Sequence, residues 1–324
     1  MKFKATLRIH TTGDIVQRNP NFWDKFKKAF GGKPNLDTDR VKTKLQATEL
    51  VMGAKRALER LGVDDAIALM VDSQVLFEDK HGRPGDASDL FTSFFENEDV
   101  YGREFEQLRL AVEHRDAGLH YVIEIVASGV HDKSKATALV HIGGRVMDLE
   151  PRVGEDAEAF RARVMPLLAT PALAETSRLQ FETFAARVDE ALKAALAGVR
   201  VTMDDPKPQV ERPGKGRGQP QQPQPDDPRY DPYGRYHPSP LGDIATMLFW
   251  TSMMSWAWHP HYVVIDQSGN EVGSTENLDA ASGGDGTSDG GGMDDPGGPD
   301  GGDIDAGDGG DFDAGGDFDF GGDW

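Results

Sequence analysis

Apolar and polar residues alternate along residues 2–10, and this pattern limits what the amino-terminal part of the chain can form. Phe3, Ala5, Leu7 and Ile9 fall on one side of an extended chain, while charged and polar residues fall on the other. A period of two is the pattern of a strand that buries one of its faces. We therefore expect this segment to belong to a sheet that is packed on one side.

The same alternation recurs in three consecutive segments later in the chain. The predicted strands are 107–115, 119–127 and 135–142, and the chain reverses between them at 116–118 and 129–134. Short polar reversals between alternating segments are typical of an antiparallel meander. On the second strand, His120 and Glu124 fall on the face opposite to the apolar residues.

Helical and strand patterns also occupy the region between residue 10 and the meander. Residues 38–61 carry an apolar helical stripe that Gly62 ends, residues 66–77 indicate a strand covered on both faces, and a short helix is predicted around 90–95. The order β-α-β-α-β-β-β predicts an α+β fold. In full, we expect a mixed or antiparallel sheet with helices on one side, a C-terminal helical extension and a long disordered acidic tail.

Two further helices are predicted at 155–171 and 172–199. The second has an apolar seam with spacings of three and four residues, formed by Leu173, Ser177, Phe181, Phe184, Val188, Leu192, Ala195 and Val199. Two interpretations stay open for this seam. It covers the sheet, or it pairs with a second copy, since it lasts about three heptads.

Composition changes sharply after residue 202. Residues 204–240 hold ten prolines together with glutamine, glycine and arginine, which is typical of an extended spacer. The predicted organisation follows from this break. It comprises an α+β domain at 1–150, a helical extension at 151–202, a Pro/Gln-rich linker at 203–240, a Trp/Met-rich apolar segment with a short hairpin at 241–270, and a disordered Gly/Asp-rich tail at 271–324.

The segment 241–258 does not fit a linker, because it holds three of the five tryptophans and three of the ten methionines. Its polar residues do not gather on one side of a helix, so most of its surface must be buried. Three interpretations stay open: the segment packs back on the body, binds a protein partner or a second copy, or enters a membrane interface. Tryptophan and methionine favour protein-binding surfaces.

The tail from 271 to 324 carries almost all of the charge excess. It has 16 acidic residues and no lysine or arginine, so it contributes −16 of the net charge of −20 of the chain. A six-residue Gly-Gly-Asp unit with one apolar residue repeats from Gly301 to Trp324. Charge of one sign keeps such a segment extended, and Asp303 and Asp305 match only part of a calcium loop. Over a few residues the tail resembles the acidic tails with a terminal aromatic residue on single-stranded DNA-binding proteins, and no family is assigned from it.

Aromatic and methionine side chains of these two segments are the predicted partner-binding residues. They are Phe249, Trp250, Met253, Met254, Trp256, Trp258, Phe312, Phe318, Phe320 and Trp324.

Candidate residues for chemistry are scattered. The chain has no cysteine, which excludes disulfides and cysteine-ligated zinc. His259 and His261, with His237 and Asp266 nearby, form the most metal-like cluster, but their spacing supplies no convincing third ligand. The meander holds further histidines and carboxylates, namely His114, His120, His131, His141, Glu113, Asp116, Glu124 and Asp132. We assign no catalytic residue, metal or cofactor from these patterns.

The sequence favours a cytoplasmic, non-enzymatic binding or scaffolding protein that acts through the Trp/Met-rich segment and the acidic-aromatic tail. Residues 1–270 hold 39 acidic and 35 basic residues, which does not favour nucleic-acid binding. No apolar stretch resembles a signal peptide or a transmembrane helix. The alternatives are an enzyme that uses His114, His120 or Glu124, and a protein that attaches to a membrane surface through 241–258.

Overall fold

A mixed sheet of ten strands is the framework of the chain. The computed structural model describes residues 1–11, 38–79, 105–130, 132, 135–196, 198–213, 223–227, 229–237, 241–256, 261–266 and 269–275. The predicted helix around 90–95, the reversal at 133–134 and the tail beyond residue 275 lie outside these described residues. The predicted α+β class is confirmed.

The strands are β1 (Lys2–Thr11), β2 (Asp65–Val71), β3 (Gln74–Glu78), β4 (Gln107–Asp116), β5 (Leu119–Ser128), β6 (Ala138–Val146), β7 (Val199–Met203), β8 (Lys207–Glu211), β9 (Val263–Ile265) and β10 (Glu271–Ser274). The helices are α1 (Thr38–Glu59), α2 (Ala157–Leu167), α3 (Ala172–Ala195), α4 (Pro232–Tyr236) and α5 (Gly242–Ser255), with a 3₁₀ turn at Met147–Leu149.

Neighbouring strands run in the order β10-β9-β8-β1-β6-β5-β4-β2-β3, and β7 also pairs with β1. All pairings are antiparallel except that of β8 with β9. The predicted meander is therefore present as β4, β5 and β6. Its first reversal is a two-residue turn in which Ala117 and Gly118 both have positive φ, at 51° and 80°, as the twist of a tight hairpin requires.

One face of the sheet packs against α1 and α3 to form the main core. The alternating residues Phe3, Leu7 and Ile9 of β1 are at most 1% exposed, as the sequence pattern predicts. The seam residues Phe181, Phe184, Val188 and Leu192 of α3 are buried against the same face, and Phe181 stacks on Phe3 at 5.3 Å. The predicted helix ends at Ala195, and Val199 lies in β7 instead. Covering the sheet is thus the role of this seam within the chain.

Residues 66–77 form a hairpin, so the prediction of one continuous strand is wrong. The chain reverses between β2 and β3 at Asp72, whose φ is 53°. The Asp72 carboxylate accepts hydrogen bonds from the backbone N–H groups of Glu106 and Gln107, both at 2.8 Å. Asparagine and aspartate tolerate this left-handed conformation best among non-glycine residues.

The proline-rich region also differs from the prediction of a linker. β8 lies within it and pairs with β1 and β9, although Pro208 sits inside the strand. Proline is tolerated there because only part of each strand edge is paired. Residues 223–227 and 229–237, which we call the strap, lie across the second face of the sheet through α4. Residues 214–222 are outside the described residues.

The Trp/Met-rich segment packs back on the body, which was the first of its three predicted interpretations. α5 lies against α2 and β8 in a second apolar cluster, where Phe249 and Met253 are 1% and 0% exposed. The indole N–H of Trp256 donates to the carbonyl of Leu168 at 2.9 Å. None of the helices within the described ranges has both the length and the apolar character needed to cross a membrane.

Candidate functional site

Polar side chains line the face of the sheet that α1 and α3 leave uncovered. Strand alternation places them there as the counterpart of the apolar core face. They include Thr6, Arg109, Glu113, His120, Glu124, His141 and Arg145. The strap covers this polar face, and Gly143 permits its close approach. A Cβ on Gly143 would lie 3.1 Å from both Asp231 Oδ1 and Tyr233 Cβ.

Glu113, His120 and His237 bring three potential metal ligands together under the strap. Glu113 Oε2 lies 3.0 Å from His120 Nε2 and 2.9 Å from His237 Nε2. All three ligand atoms are within 4.8 Å of one another. Glu113 and His120 are buried at 8% and 3% exposure, and His237 is half-buried. His237 Nε2 is itself buried and, among the described residues, has no well-aligned hydrogen-bond partner, despite its contact with the carboxylate.

The second ring nitrogen of His120 is held by a different set of groups. His120 Nδ1 lies 2.9 Å from the Tyr233 hydroxyl and 3.8 Å from Glu150 Oε2. Tyr233 donates its hydroxyl hydrogen to Glu150 Oε1, so its oxygen is the acceptor for His120 Nδ1–H. This arrangement directs His120 Nε2 toward Glu113 and His237. A histidine that ligates a metal is commonly oriented in this way through its other nitrogen.

The electrostatics of the cluster follow from these contacts. The hydrogen bond from His120 and the close contact of His237 hold the pKa of Glu113 far below its usual range. Burial alone would lower the pKa of His120, but the hydrogen bond with Glu113 and the nearby Glu150 carboxylate outweigh it and leave that pKa raised. Burial would likewise raise the pKa of Glu150, and the contacts with His120 and Tyr233 lower it instead. Without a metal ion, a proton on His120 Nε2 therefore bridges His120 and Glu113.

The cluster opens on a cleft of about 1000 Å³ between the strap, the 3₁₀ turn, α2 and α5. Its lining includes His120, His237, Tyr233, Glu150, Arg115 and Arg145. Arg145 lies over the Tyr233 ring, 4.6 Å from its centroid, and donates to Asp231. Arg115 lies 3.3 Å from Glu113 Oε1, the carboxylate oxygen that does not contact the histidines. One side of the cluster is thus protein, and the other faces the cleft.

The ligand types and two of their separations match a tetrahedral metal ion. Zinc takes histidine nitrogen and carboxylate oxygen at about 2.0–2.2 Å, so neighbouring ligand atoms lie about 3.4 Å apart. The observed separations of 2.9 and 3.0 Å are a few tenths of an ångström shorter. A proton on His120 Nε2 accounts for its short contact with Glu113. The two histidine nitrogens lie within 4.8 Å of each other, and a bound metal ion would hold them at the tetrahedral separation.

Glu124 and His141 occupy a separate part of the same polar face. Glu124 is 0% exposed and accepts hydrogen bonds from Tyr236, at 2.7 Å, and from Tyr230. His141 is 2% exposed, and its Nδ1 lies 3.2 Å from Thr6 Oγ1. The two tyrosine hydroxyls satisfy the buried carboxylate, which is a structural role.

The three residues predicted for a possible enzyme site do not converge. His114 lies on the core face and stacks on Phe184 at 5.6 Å, whereas His120 and Glu124 lie on the polar face in different clusters. The described members of the predicted metal-like cluster do not converge: His237 lies beside Glu113, His261 is exposed and Asp266 bonds to Asn270. His259 is outside the described residues.

The predicted partner-binding residues are distributed between the interior and the surface. Phe249, Met253 and Trp256 are buried within the chain, Trp250 is half-buried and Met254 is 41% exposed. Burial in the second cluster removes the first three from any contact surface of the folded chain. The other predicted partner-binding residues, Trp258, Phe312, Phe318, Phe320 and Trp324, lie outside the described residues.

The sequence pattern named Glu113 and His237 as candidates in two separate groups, but it did not predict that they meet, and it gave no role to Tyr233. A signal for Glu113 was present, because a tight reversal at 116–118 places Arg115 opposite His120 and puts Glu113 on the same face. No comparable local signal exists for Tyr233 and His237, which the strap brings from more than a hundred residues away. No family model, curated protein or solved structure matches this chain.

Proposed function

We propose that Glu113, His120 and His237 bind one divalent metal ion and that the protein is a metal-dependent hydrolytic enzyme. The observation that carries this proposal is the convergence of one carboxylate oxygen and two imidazole nitrogens at the edge of a large cleft. Two histidines and a glutamate form one of the ligand sets of catalytic zinc sites. Zinc is the ion that this combination of nitrogen and oxygen favours, with other first-row metals as competitors.

The open side of the cluster supports a catalytic site over a structural one. Structural zinc sites are closed by four protein ligands, whereas catalytic sites keep a position for water or substrate. Here the cleft lies where a fourth ligand would be. A zinc-bound water has a pKa near 7, so the ion would supply a hydroxide nucleophile at neutral pH. Glu150 and Tyr233 hold His120 in the orientation that the ion needs.

Zinc and cobalt binding to the full chain, measured by isothermal titration calorimetry after removal of metal, tests this proposal. We expect one ion per chain, and we expect His237→Ala and Glu113→Gln to weaken binding by at least a hundredfold. His261→Ala is the matched control and should bind as the unsubstituted protein does. Circular dichroism melts separate loss of a ligand from loss of folding. Equal binding by His237→Ala and His261→Ala would contradict the site.

The pH dependence of cobalt binding follows from the raised pKa of His120. The metal displaces the proton on Nε2, so affinity should rise about tenfold per pH unit below that pKa and level off above it. In the cobalt-loaded protein, the visible spectrum should show a further ionisation near pH 7 from the bound water. A spectrum that does not change with pH would indicate a closed, structural site.

Tyr233→Phe tests the contact that orients His120. We expect metal affinity to fall about 10–100-fold, the range found when outer-shell partners of metal ligands are removed. Tyr236→Phe is the control, because its hydroxyl bonds to Glu124 outside the cluster. Calorimetry on both variants measures the difference, and a Tyr236→Phe loss as large as that of Tyr233→Phe would contradict a specific role.

Protein binding through the Trp/Met-rich segment and the tail stays a prediction. What favours it in the structure is the outer face of α5, where Met247 and Met254 are 57% and 41% exposed. A pull-down with a chain that ends at residue 275 tests the tail without removing α5 from the core. Recovery of the same partners by both chains would overturn a role for the tail.

A further inference from the structure

The position of Arg115 indicates what kind of ligand the cleft receives. Arg115 and His120 are directly opposite in the β4–β5 register, so their side chains project from the same face of the sheet. The Arg115 guanidinium lies 3.3 Å from Glu113 Oε1 and its side chain is 53% exposed. It therefore stands one carboxylate away from the proposed metal ion. Its Nη2 is near Glu113, and its half-exposed side chain, which has five N–H donors, also lines the cleft.

The charge around the cluster becomes more positive when a divalent ion binds. Glu113, Glu150 and Asp231 contribute three negative charges, and Arg115 and Arg145 contribute two positive ones. The proton on His120 Nε2 makes its ring cationic, so the metal-free group has no net charge, and exchange of that proton for a divalent ion leaves one net positive charge. Arg152 also lines the cleft, where Lys2 pairs with Glu211 and Glu155 pairs with Arg163. The metal-loaded cleft therefore attracts an anion more strongly than the metal-free cleft does.

We infer that the metal-loaded site binds an oxyanion, a phosphate or a carboxylate, with one oxygen on the ion and a second on Arg115. This inference rests on the proposed metal site and names the class of its substrate or product. An oxyanion suits both groups, because it offers a hard oxygen ligand to the ion and accepts charge-assisted hydrogen bonds from guanidinium. A cleft of about 1000 Å³ leaves room for the organic part of such a ligand.

Titration of the cobalt-loaded full chain with inorganic phosphate, and separately with acetate, tests the inference through the visible spectrum of the ion. We expect a saturable change with at least one of the two anions. Phosphate alone would assign phosphate esters as the class, and acetate alone would assign carboxylates. Arg115→Gln should weaken anion binding about tenfold or more, which corresponds to the loss of a charge-assisted hydrogen bond. Its cobalt affinity should change less than about threefold, because Arg115 is not a ligand.

Arg187→Gln is the matched control. Arg187 lies in α3, is 46% exposed and pairs with Asp116, the neighbour of Arg115 in β4. It does not line the cleft. We expect its anion binding to be unchanged. If the chain binds cobalt and neither anion alters the spectrum, or if the two arginine variants behave alike, the oxyanion inference is overturned while the metal site stands. If the chain does not bind cobalt or zinc at all, the proposed function itself is overturned.

Discussion

Replacing Phe249 with alanine is expected to lower the free energy of unfolding by about 3–5 kcal/mol, the range for large buried aromatic residues. Phe249 is 1% exposed and contacts Trp256 and Tyr262 edge to face, with ring centroids 5.8 and 6.1 Å away. The alanine variant loses the transfer free energy of the ring and leaves a cavity beside Trp256 and Tyr262. Urea denaturation of the full chain measures the difference.

Met254→Ala on the same helix is the control, because Met254 is 41% exposed. Surface substitutions of this kind change stability by about 0.5 kcal/mol or less. A large difference between the two variants shows that α5 is part of the core. If both variants change the free energy of unfolding only slightly, the Trp/Met-rich segment is instead available to bind a protein partner, which was one of the interpretations of its sequence.

Lowering the pH is expected to destabilise the chain through His141. Burial, followed by the charge of Lys4, lowers the pKa of His141 to about 3, whereas an unfolded histidine has a pKa of about 6.5. Between these values the unfolded chain binds a proton that the folded chain does not, so stability falls as pH decreases. The loss is about 1.4 kcal/mol per pH unit below about 6.5, and about 5 kcal/mol when complete.

Urea denaturation of the unsubstituted protein and of His141→Gln at pH 7 and pH 5 isolates this effect. We expect the unsubstituted protein to lose about 2 kcal/mol more than the variant between these pH values. His120 titrates in both proteins, so its contribution cancels from the difference between their free energies of unfolding. Its raised pKa contributes stability that is complete below about pH 6.5 and is lost as pH rises through the folded value. Parallel pH profiles, or an NMR titration of His141 near pH 6.5, would contradict the account.

The N-terminal strand and the meander were predictable because their information is local. Alternation in β1, β4 and β5 fixed which residues face the core, and the reversal at 116–118 fixed the register of the hairpin. The faces of His114 and His120 followed from the same pattern. The stop at Asp72 was missed, since a hairpin with two apolar arms has the composition of one long buried strand.

The covering of the polar face was not predictable, because it depends on contacts between distant segments. Tyr230 reaches Glu124 across 106 residues, and His237 comes to Glu113 from beyond a proline-rich stretch. Proline, glutamine and glycine indicate a spacer when only their neighbours are considered. For α5, composition established that the helix must be buried, and only the structure shows that α2 and β8 bury it.

The polar face of the sheet and the strap together form the candidate site. β4 and β5 supply Glu113 and His120 on a rigid sheet, and the strap adds His237 as the third ligand and Tyr233 as the group that orients His120. A site supported on a sheet keeps its geometry better than one on loops alone. The metal is therefore the feature on which the functional account depends.

Diffraction from crystals of the full chain grown with zinc, with data collected on both sides of the zinc absorption edge, tests that feature most directly. The account predicts one anomalous peak within about 2.0–2.2 Å of Glu113 Oε2, His120 Nε2 and His237 Nε2, with density for a fourth ligand toward the cleft. No peak at these three residues, with Glu113 still bridging both histidines, would contradict it.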